Sequence, residues 1–386
     1  MIKTVKLKKS IAAILCIAIP LQLSGCWDYH EVEMYSIVSG VAIDKGQNGY
    51  KYHLTIEYLD INGKVEESQT KPLTVETDGD TIFDAERAAL KKSGKKFYFS
   101  NCKIMIVSKE LAAEGIKPLL DWFIRDAEIR ITLEIIVSKE ETAGEILRFK
   151  AKSQEANSFQ IADMLNEASS YYAWDHSLQL YEIVNILNTP GENLSLPGIH
   201  IKDDEGGPAL ELTANSVFKN GKLVGWLSSE QNEYYMFAKD KIQGGVIVMG
   251  LTPDNKDMAL EIFKSQTKVT PIVNGQNVTI KIDVETAAGY AEENTSQNYL
   301  DKYGIGTIEN CADRTVKNGI LGVIASVKKQ YGSDIFGFGK TVYEKYPAVW
   351  EKLQKSGGNV FDKLNFEVNT NVSIKNTALA LKKGGD

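Results

Sequence analysis

A basic head, an apolar run and a cysteine behind small residues stand at the start of this chain. Lys3, Lys6, Lys8 and Lys9 precede the apolar stretch 11–23, which ends in Leu23-Ser24-Gly25-Cys26. This order of basic, apolar and small segments is that of an export signal. The apolar run is about 13 residues, shorter than the roughly 20 that cross a bilayer as a stable helix. The segment therefore reads as a signal to be removed and not as a permanent span. A cysteine in this place is the lipid attachment point of bacterial lipoproteins: a diacylglyceryl group goes on the Cys26 sulfur, and cleavage before it makes Cys26 the new N-terminus. Burial gives about 0.8 kcal/mol per CH₂, and one acyl chain binds marginally where two hold. Everything after Cys26 is expected outside the membrane and tethered to it.

A tethered chain of this length has room for two domains. The sequence has 386 residues, 43% of them hydrophobic and 25% charged, a globular mixture able to bury a core. The formal net charge is −7, and the segment before Cys26 carries four lysines and no acid, so the remainder is more acidic still. An acidic surface argues against nucleic acid and against a broad electrostatic grip on anionic lipid. Of the four cysteines, Cys16 leaves with the signal and Cys26 is modified. Cys102 and Cys311 sit in apolar contexts and read as two buried free thiols in different domains, although the compartment would permit a disulfide.

The pattern along the chain is α+β. Strands are expected at 35–44 and 50–59, joined by the turn 46–49, and at 73–77. Thr81 or Asp80 caps a helix that Gly94 ends. A strand over 97–107, a helical region from Ser108 through Ile124, a β-branched strand over 130–137 and a helix over 142–149 follow. Residues 150–188 read as a helical connector. Pro190-Gly191 and Leu196-Pro197-Gly198 punctuate the chain and set the division: 1–25 signal, 26–190 N-terminal α+β domain, 191–386 C-terminal α+β domain. The second half opens with strands, including a hairpin around Asn220-Gly221, a strand over 244–251 and a second hairpin around Asn274-Gly275. Ile308, Ala312, Val316, Ile320, Val323 and Val327 share one helical stripe. A further helix over 339–354 and an alternating strand over 361–374 close the chain, the strand inserting into the sheet of the earlier hairpins. The fold class is α+β, multi-domain, with mixed or antiparallel sheets flanked by helices.

Groups that converge for chemistry are scarce. His30, His53, His176 and His200 are scattered, and His30-Glu31 lacks the second histidine of a zinc-protease helix. Neither a Gly-x-Ser-x-Gly elbow nor a P-loop pattern occurs. Gly337-Phe338-Gly339 reads as a turn between two helices, because neither a strand nor a downstream acid supports a dinucleotide fingerprint. Asp203-Asp204-Glu205 and Glu292-Glu293 read as solvated turns, with a weak Ca²⁺ site as the minor alternative. No catalytic, cofactor or metal residue is assigned; the one site residue is Cys26, for lipidation. The aromatic runs 171–174 and 234–237 read as core packing, with a partner surface as the alternative.

The residues resemble the Ger(x)C lipoproteins, the C subunits of spore germinant receptors. The likeness begins at Gly25-Cys26-Trp27-Asp28 and runs through Gly40-Val41-Ala42-Ile43-Asp44, Asp80-Thr81-Ile82-Phe83-Asp84-Ala85 and Arg125-Asp126-Ala127-Glu128-Ile129-Arg130. It continues in Val217-Phe218-Lys219-Asn220-Gly221-Lys222-Leu223-Val224-Gly225, in Ser333-Asp334-Ile335-Phe336-Gly337-Phe338-Gly339 and in Tyr346-Pro347-Ala348-Val349-Trp350. Asn101-Cys102 departs from the Ser-His pair expected there. The resemblance implies a non-enzymatic subunit on the outer face of the spore inner membrane. Its partners would be two membrane proteins, an A subunit with a large soluble part and a B subunit like an amino-acid transporter, which together sense nutrients and trigger germination. A lipid-anchored extracytoplasmic solute-binding protein is the alternative that the anchor also fits; such proteins usually have two doubly wound lobes.

Overall fold

Continuous apolar runs such as Ile104-Met105-Ile106-Val107 must be covered on both sides, and they form the centre of the larger sheet. In this computed structural model, residues 34–59, 71–150, 155–171, 177–252, 256–275, 277–294 and 298–376 are described. Strands β1 (Tyr35–Lys45), β2 (Tyr52–Leu59), β3 (Pro72–Gly79), β5 (Ile104–Ser108), β6 (Glu134–Ser138), β7 (Ser195–Lys202), β8 (Ala209–Lys219) and β9 (Lys222–Trp226) lie in the order β3-β2-β1-β5-β6-β7-β8-β9. The short β4 (Lys96–Tyr98) pairs with the start of β1. The middle of this sheet is parallel, from β1 through β5 and β6 to β7, and both flanks are antiparallel.

Alternate residues of β5 serve different cores. Met105 and Val107 pack with helices α1 (Ile82–Ser93), α2 (Lys109–Glu114), α3 (Lys117–Arg125) and α6 (Leu180–Asn188). Ile104 and Ile106 pack on the opposite face with α4 (Gly144–Arg148) and α5 (Asn157–Tyr171). The helical stretch expected over 150–188 thus belongs to this unit, with α5 on one face of the sheet and α6 on the other. The single strand expected over 97–107 is divided: a turn of 3₁₀ helix, Phe99–Asn101, carries the chain from one position beside β1 to the next.

The smaller sheet, β10-β11-β12-β13, is built from β10 (Gly245–Met249), β11 (Met258–Asn274), β12 (Asn277–Glu293) and β13 (Leu364–Asn376). Its strands alternate, with Val278, Ile280, Ile282 and Val284 buried and the residues between them turned outward. One face is covered by α7 (Ser229–Ala238), α9 (Ile305–Gln330) and α10 (Phe338–Lys345), while α8 (Tyr299–Tyr303), α11 (Pro347–Lys355) and α12 (Val360–Lys363) complete the helices. The predicted stripe of α9 is the buried one: Ile308, Ala312, Val316, Ile320, Val323 and Val327 are at most 2% exposed. As expected, the last strand joins this sheet, parallel to β12.

Two sequence readings are corrected. Leu196-Pro197-Gly198 is not a boundary but part of β7, with a bulge between Leu196 and Gly198 that accommodates the proline. Strands β7 to β9 complete the first sheet, so that sheet continues beyond the Pro190-Gly191 division. The run 234–237 lies in helix α7, opened by a reciprocal cap between Ser228 and Gln231, and Tyr235, Met236 and Phe237 are buried, as the core-packing reading expects. The helix expected over 339–354 is two, broken where Pro347 begins α11.

Candidate functional site at the joint between the two units

The stretch 331–340 follows α9 and meets the segment 189–195, where the chain passes from α6 to β7. Ser333 donates its hydroxyl to the Phe218 carbonyl, and Asn193 N donates to the Asp334 carbonyl at 2.7 Å. The Asp334 carboxylate accepts from Gly337 N at 2.9 Å, Phe338 N at 3.2 Å and Gly339 N at 2.6 Å, so it caps α10. Burial pushes its pKa up to about 6, against the pull of those N–H groups and of Lys239. The glycines are there for space and backbone angle. Gly337 has φ 79°, and a Cβ on it would lie 3.0 Å from the Glu192 carboxyl. A Cβ on Gly191 would lie 2.4 Å from the Gly339 carbonyl carbon, where Lys340 N donates to Gly191 O at 2.9 Å. Phe336 and Phe338, on either side of Gly337, stack with centroids 5.0 Å apart in the second core.

An ion cluster spans the same joint. Glu192, with its side chain 5% exposed, accepts from Lys239 Nζ at 2.7 Å and from Lys340 Nζ at 3.1 Å. Lys239 also donates to the Phe336 carbonyl at 3.3 Å. Burial works against the Glu192 carboxylate, but Lys239 and Lys340 hold its pKa below the ordinary value. Burial likewise opposes the Lys239 ammonium, but Tyr235 and Glu192 hold its pKa above the ordinary one. The cluster thereby fastens the 189–195 segment to α7 and α10. Sequence reading missed Glu192, Lys239 and Lys340; only the Pro190-Gly191 pair beside Glu192 drew attention, as punctuation.

The other motif residues also resolve into joints. Asp44 accepts from Ala143 N at 2.6 Å and Gly144 N at 2.9 Å and so caps α4, its pKa raised by burial. Gly40 leaves room for α5, since a Cβ would lie 2.6 Å from Ser158 Cβ. Thr81 caps α1 through Asp84 N at 3.0 Å, and Gly94 ends it at φ 71°. Asp126 accepts from Glu128 N at 2.8 Å, and Glu128 pairs with Lys96. Asn220 and Gly221, at φ 53° and 77°, form the β8–β9 turn, and Gly225 lies against the Tyr331 ring.

Cys26, His30 and His176 lie outside the described residues, and so do the side chains of 171–174. His53 binds Asp78 at 2.9 Å across β2 and β3, and His200 binds Glu211 at 2.9 Å across β7 and β8. Cys102 and Cys311 are buried free thiols, and burial pushes the Cys102 thiol up to about 12. Among the described residues no three His, Cys, Asp or Glu side chains come together as a metal site would require, and no helix is long and apolar enough to cross a membrane.

Residues 28–201 match the family described as spore germination protein N-terminal domain. Residues 215–378 match the family described as spore germination B3/GerAC like, C-terminal. The chain belongs to the GerAC family of spore germination proteins. Its similarity to family members of Bacillus subtilis (strain 168) extends nearly from end to end. It is 24% identical to spore germination protein KC, covering 96% of this chain and 97% of that one. It is 23% identical to spore germination protein B3, over 92% and 95%. The crystal structure of the GerBC protein has the same fold, with TM-score 0.56 and 18% identity over 90% of this chain and all of that one. The two family matches meet between 201 and 215, at the β7–β8 turn within the first sheet.

Proposed function

We propose that this GerAC-family chain is the C subunit of a nutrient germinant receptor. Lipid on Cys26 holds it to the outer face of the spore inner membrane, and it acts through contacts with an A and a B membrane subunit. The observation that carries this reading is the use to which the motif residues are put. Asp44, Thr81 and Asp334 spend their side-chain oxygens on the protein's own backbone N–H groups as caps, and Asn220, Gly221 and Gly337 supply left-handed turns. A subunit that works through its shape needs such fixed joints. The family membership and the Leu23-Ser24-Gly25-Cys26 signal support the same reading.

The solute-binding alternative fits less well, because the strand order gives one mixed sheet and one small sheet and not two doubly wound lobes. Two tests apply. Cys26→Ala should move the protein from the membrane fraction of spores to the soluble fraction; full retention contradicts the anchor. Spores carrying only that variant should lose most of their response to the nutrient that wild-type spores detect through this receptor, and an unchanged response contradicts the subunit role.

A further inference from the structure

A second feature of the joint is a pocket of about 360 Å³ between α6, the start of α7's terminal turn and the 335–340 segment. Its size is at the small end for ligand sites, roughly 300–1,000 Å³. Ile186, Met236 and Ile335 give it apolar walls, and Tyr181 and Asn185, both exposed, stand at its open side. Three lysines and two glutamates line it. Both oxygens of Glu192 are taken by Lys239 and Lys340. One oxygen of Glu182 accepts from Gln179 N at 3.0 Å in the cap of α6, and the carboxylate's charge still acts on Lys241 from beyond ion-pair distance. Lys241 is the cation left over: among the described residues it has no ion-pair partner within 4.0 Å. Burial lowers its pKa against the pull of Glu182, Asp240 and Glu192, so the ammonium is poorly served by water and has acids near it without an ion pair.

The chain goes to some length to place this lysine. Helix α7 ends in a tight double turn, with Lys241 N donating to Met236 O at 3.0 Å and Asp240 N to Phe237 O at 3.1 Å. Asp240 takes the left-handed position, φ 56°, where glycine is usual, and Thr267 N secures it by donating to its carboxylate at 2.6 Å. Lys241 is thus set at the pocket by a turn anchored in the second sheet.

We propose that this pocket binds a small monocarboxylate with an apolar body, the carboxylate pairing with Lys241 and the body lying against Ile186, Met236 and Ile335. One unpaired cation beside apolar walls selects one negative charge attached to an apolar group. The inference does not rest on the receptor reading.

The test is calorimetry on the full-length protein in mild detergent, with 3-methylbutanoate, its neutral amide and inorganic phosphate as probes. The carboxylate should bind saturably at one site, and the amide and phosphate at least about tenfold more weakly. Lys241→Met should weaken carboxylate binding at least about tenfold, and Lys241→Arg should keep it within about threefold. Asn185→Asp, an exposed change that leaves the fold alone, should also weaken it by placing an acid at the opening; it carries the test if Lys241→Met does not fold. Absence of saturable carboxylate binding overturns the proposal, as does equal binding by Lys241→Met and wild type. Equal binding of phosphate, or of the neutral amide, overturns the assignment of ligand class.

Discussion

Glu192 and Asp334 are two carboxylates at one joint whose environments push them in opposite directions. Glu192 is held below its ordinary pKa by two ammonium groups, so its contribution to stability is present above about pH 4.5 and is lost as pH falls through the folded value. Asp334 is raised from 3.8 to about 6 by burial, so its contribution is present below 3.8 and is lost as pH rises to about 6. Glu192→Gln should therefore cost about 3 kcal/mol at neutral pH, because it leaves Lys239 largely buried beside a neutral partner. That deficit should shrink below pH 4.5. Asp334→Asn should show the reverse trend, with its deficit against wild type greatest near pH 4 and smaller at pH 7. Urea unfolding of both variants and wild type across pH 3.5 to 7 measures this; parallel curves for the two variants would contradict it. Little of this chemistry was legible from sequence. The motif around Asp334 could be read, but Glu192 and Lys239 are 47 positions apart in the chain and nothing in their local pattern announces a pair.

At the level of elements, the sequence spoke clearly where a local signal was sufficient. The cap at Thr81, the left-handed stop at Gly94, the Asn220-Gly221 turn and the stripe of α9 are all set by neighbours within a turn or two. It spoke less clearly where tertiary packing overrode composition. Pro197 and Gly198 have the look of a linker, yet the chain here is strand: a Cβ on Gly198 would lie 2.2 Å from Thr213 Oγ1 across the β7–β8 pair. Helix α7 carried a readable capping pair, Ser228 and Gln231, obscured by the aromatic run that follows. Gly337→Val should destabilise the second unit by at least about 1–2 kcal/mol, because it forces a branched residue to a left-handed angle against Glu192. Thermal unfolding close to wild type would show that the turn yields. The outer edge of β13 presents a different case. Asp313 accepts from Val372 N at 2.7 Å and Glu309 from Ile374 N at 2.8 Å, so acids of α9 cover N–H groups that would otherwise be open to pairing. Asp313→Ala should cost about 1–2 kcal/mol and add concentration-dependent association. Sedimentation of a strictly unassociated variant would contradict the second half.

On the scale of the whole molecule, the two sheets are joined by shared core as well as by the ion cluster. Val217 packs into the second core and its neighbour Phe218 into the first, so β8 belongs to both. The sequence gives the α+β class and the two-sheet plan, whereas the way β7 to β9 cross the Pro190-Gly191 division depends on strand pairings between segments far apart in the chain. A body joined in this way would hold the faces of both units in one arrangement toward the membrane proteins proposed as its partners. The most direct measurement is affinity purification of the lipidated protein from mildly solubilised spore membranes, with quantitative mass spectrometry of what accompanies it. The account predicts two membrane-spanning partners in fixed proportion to this chain, and recovery of the chain alone would contradict it.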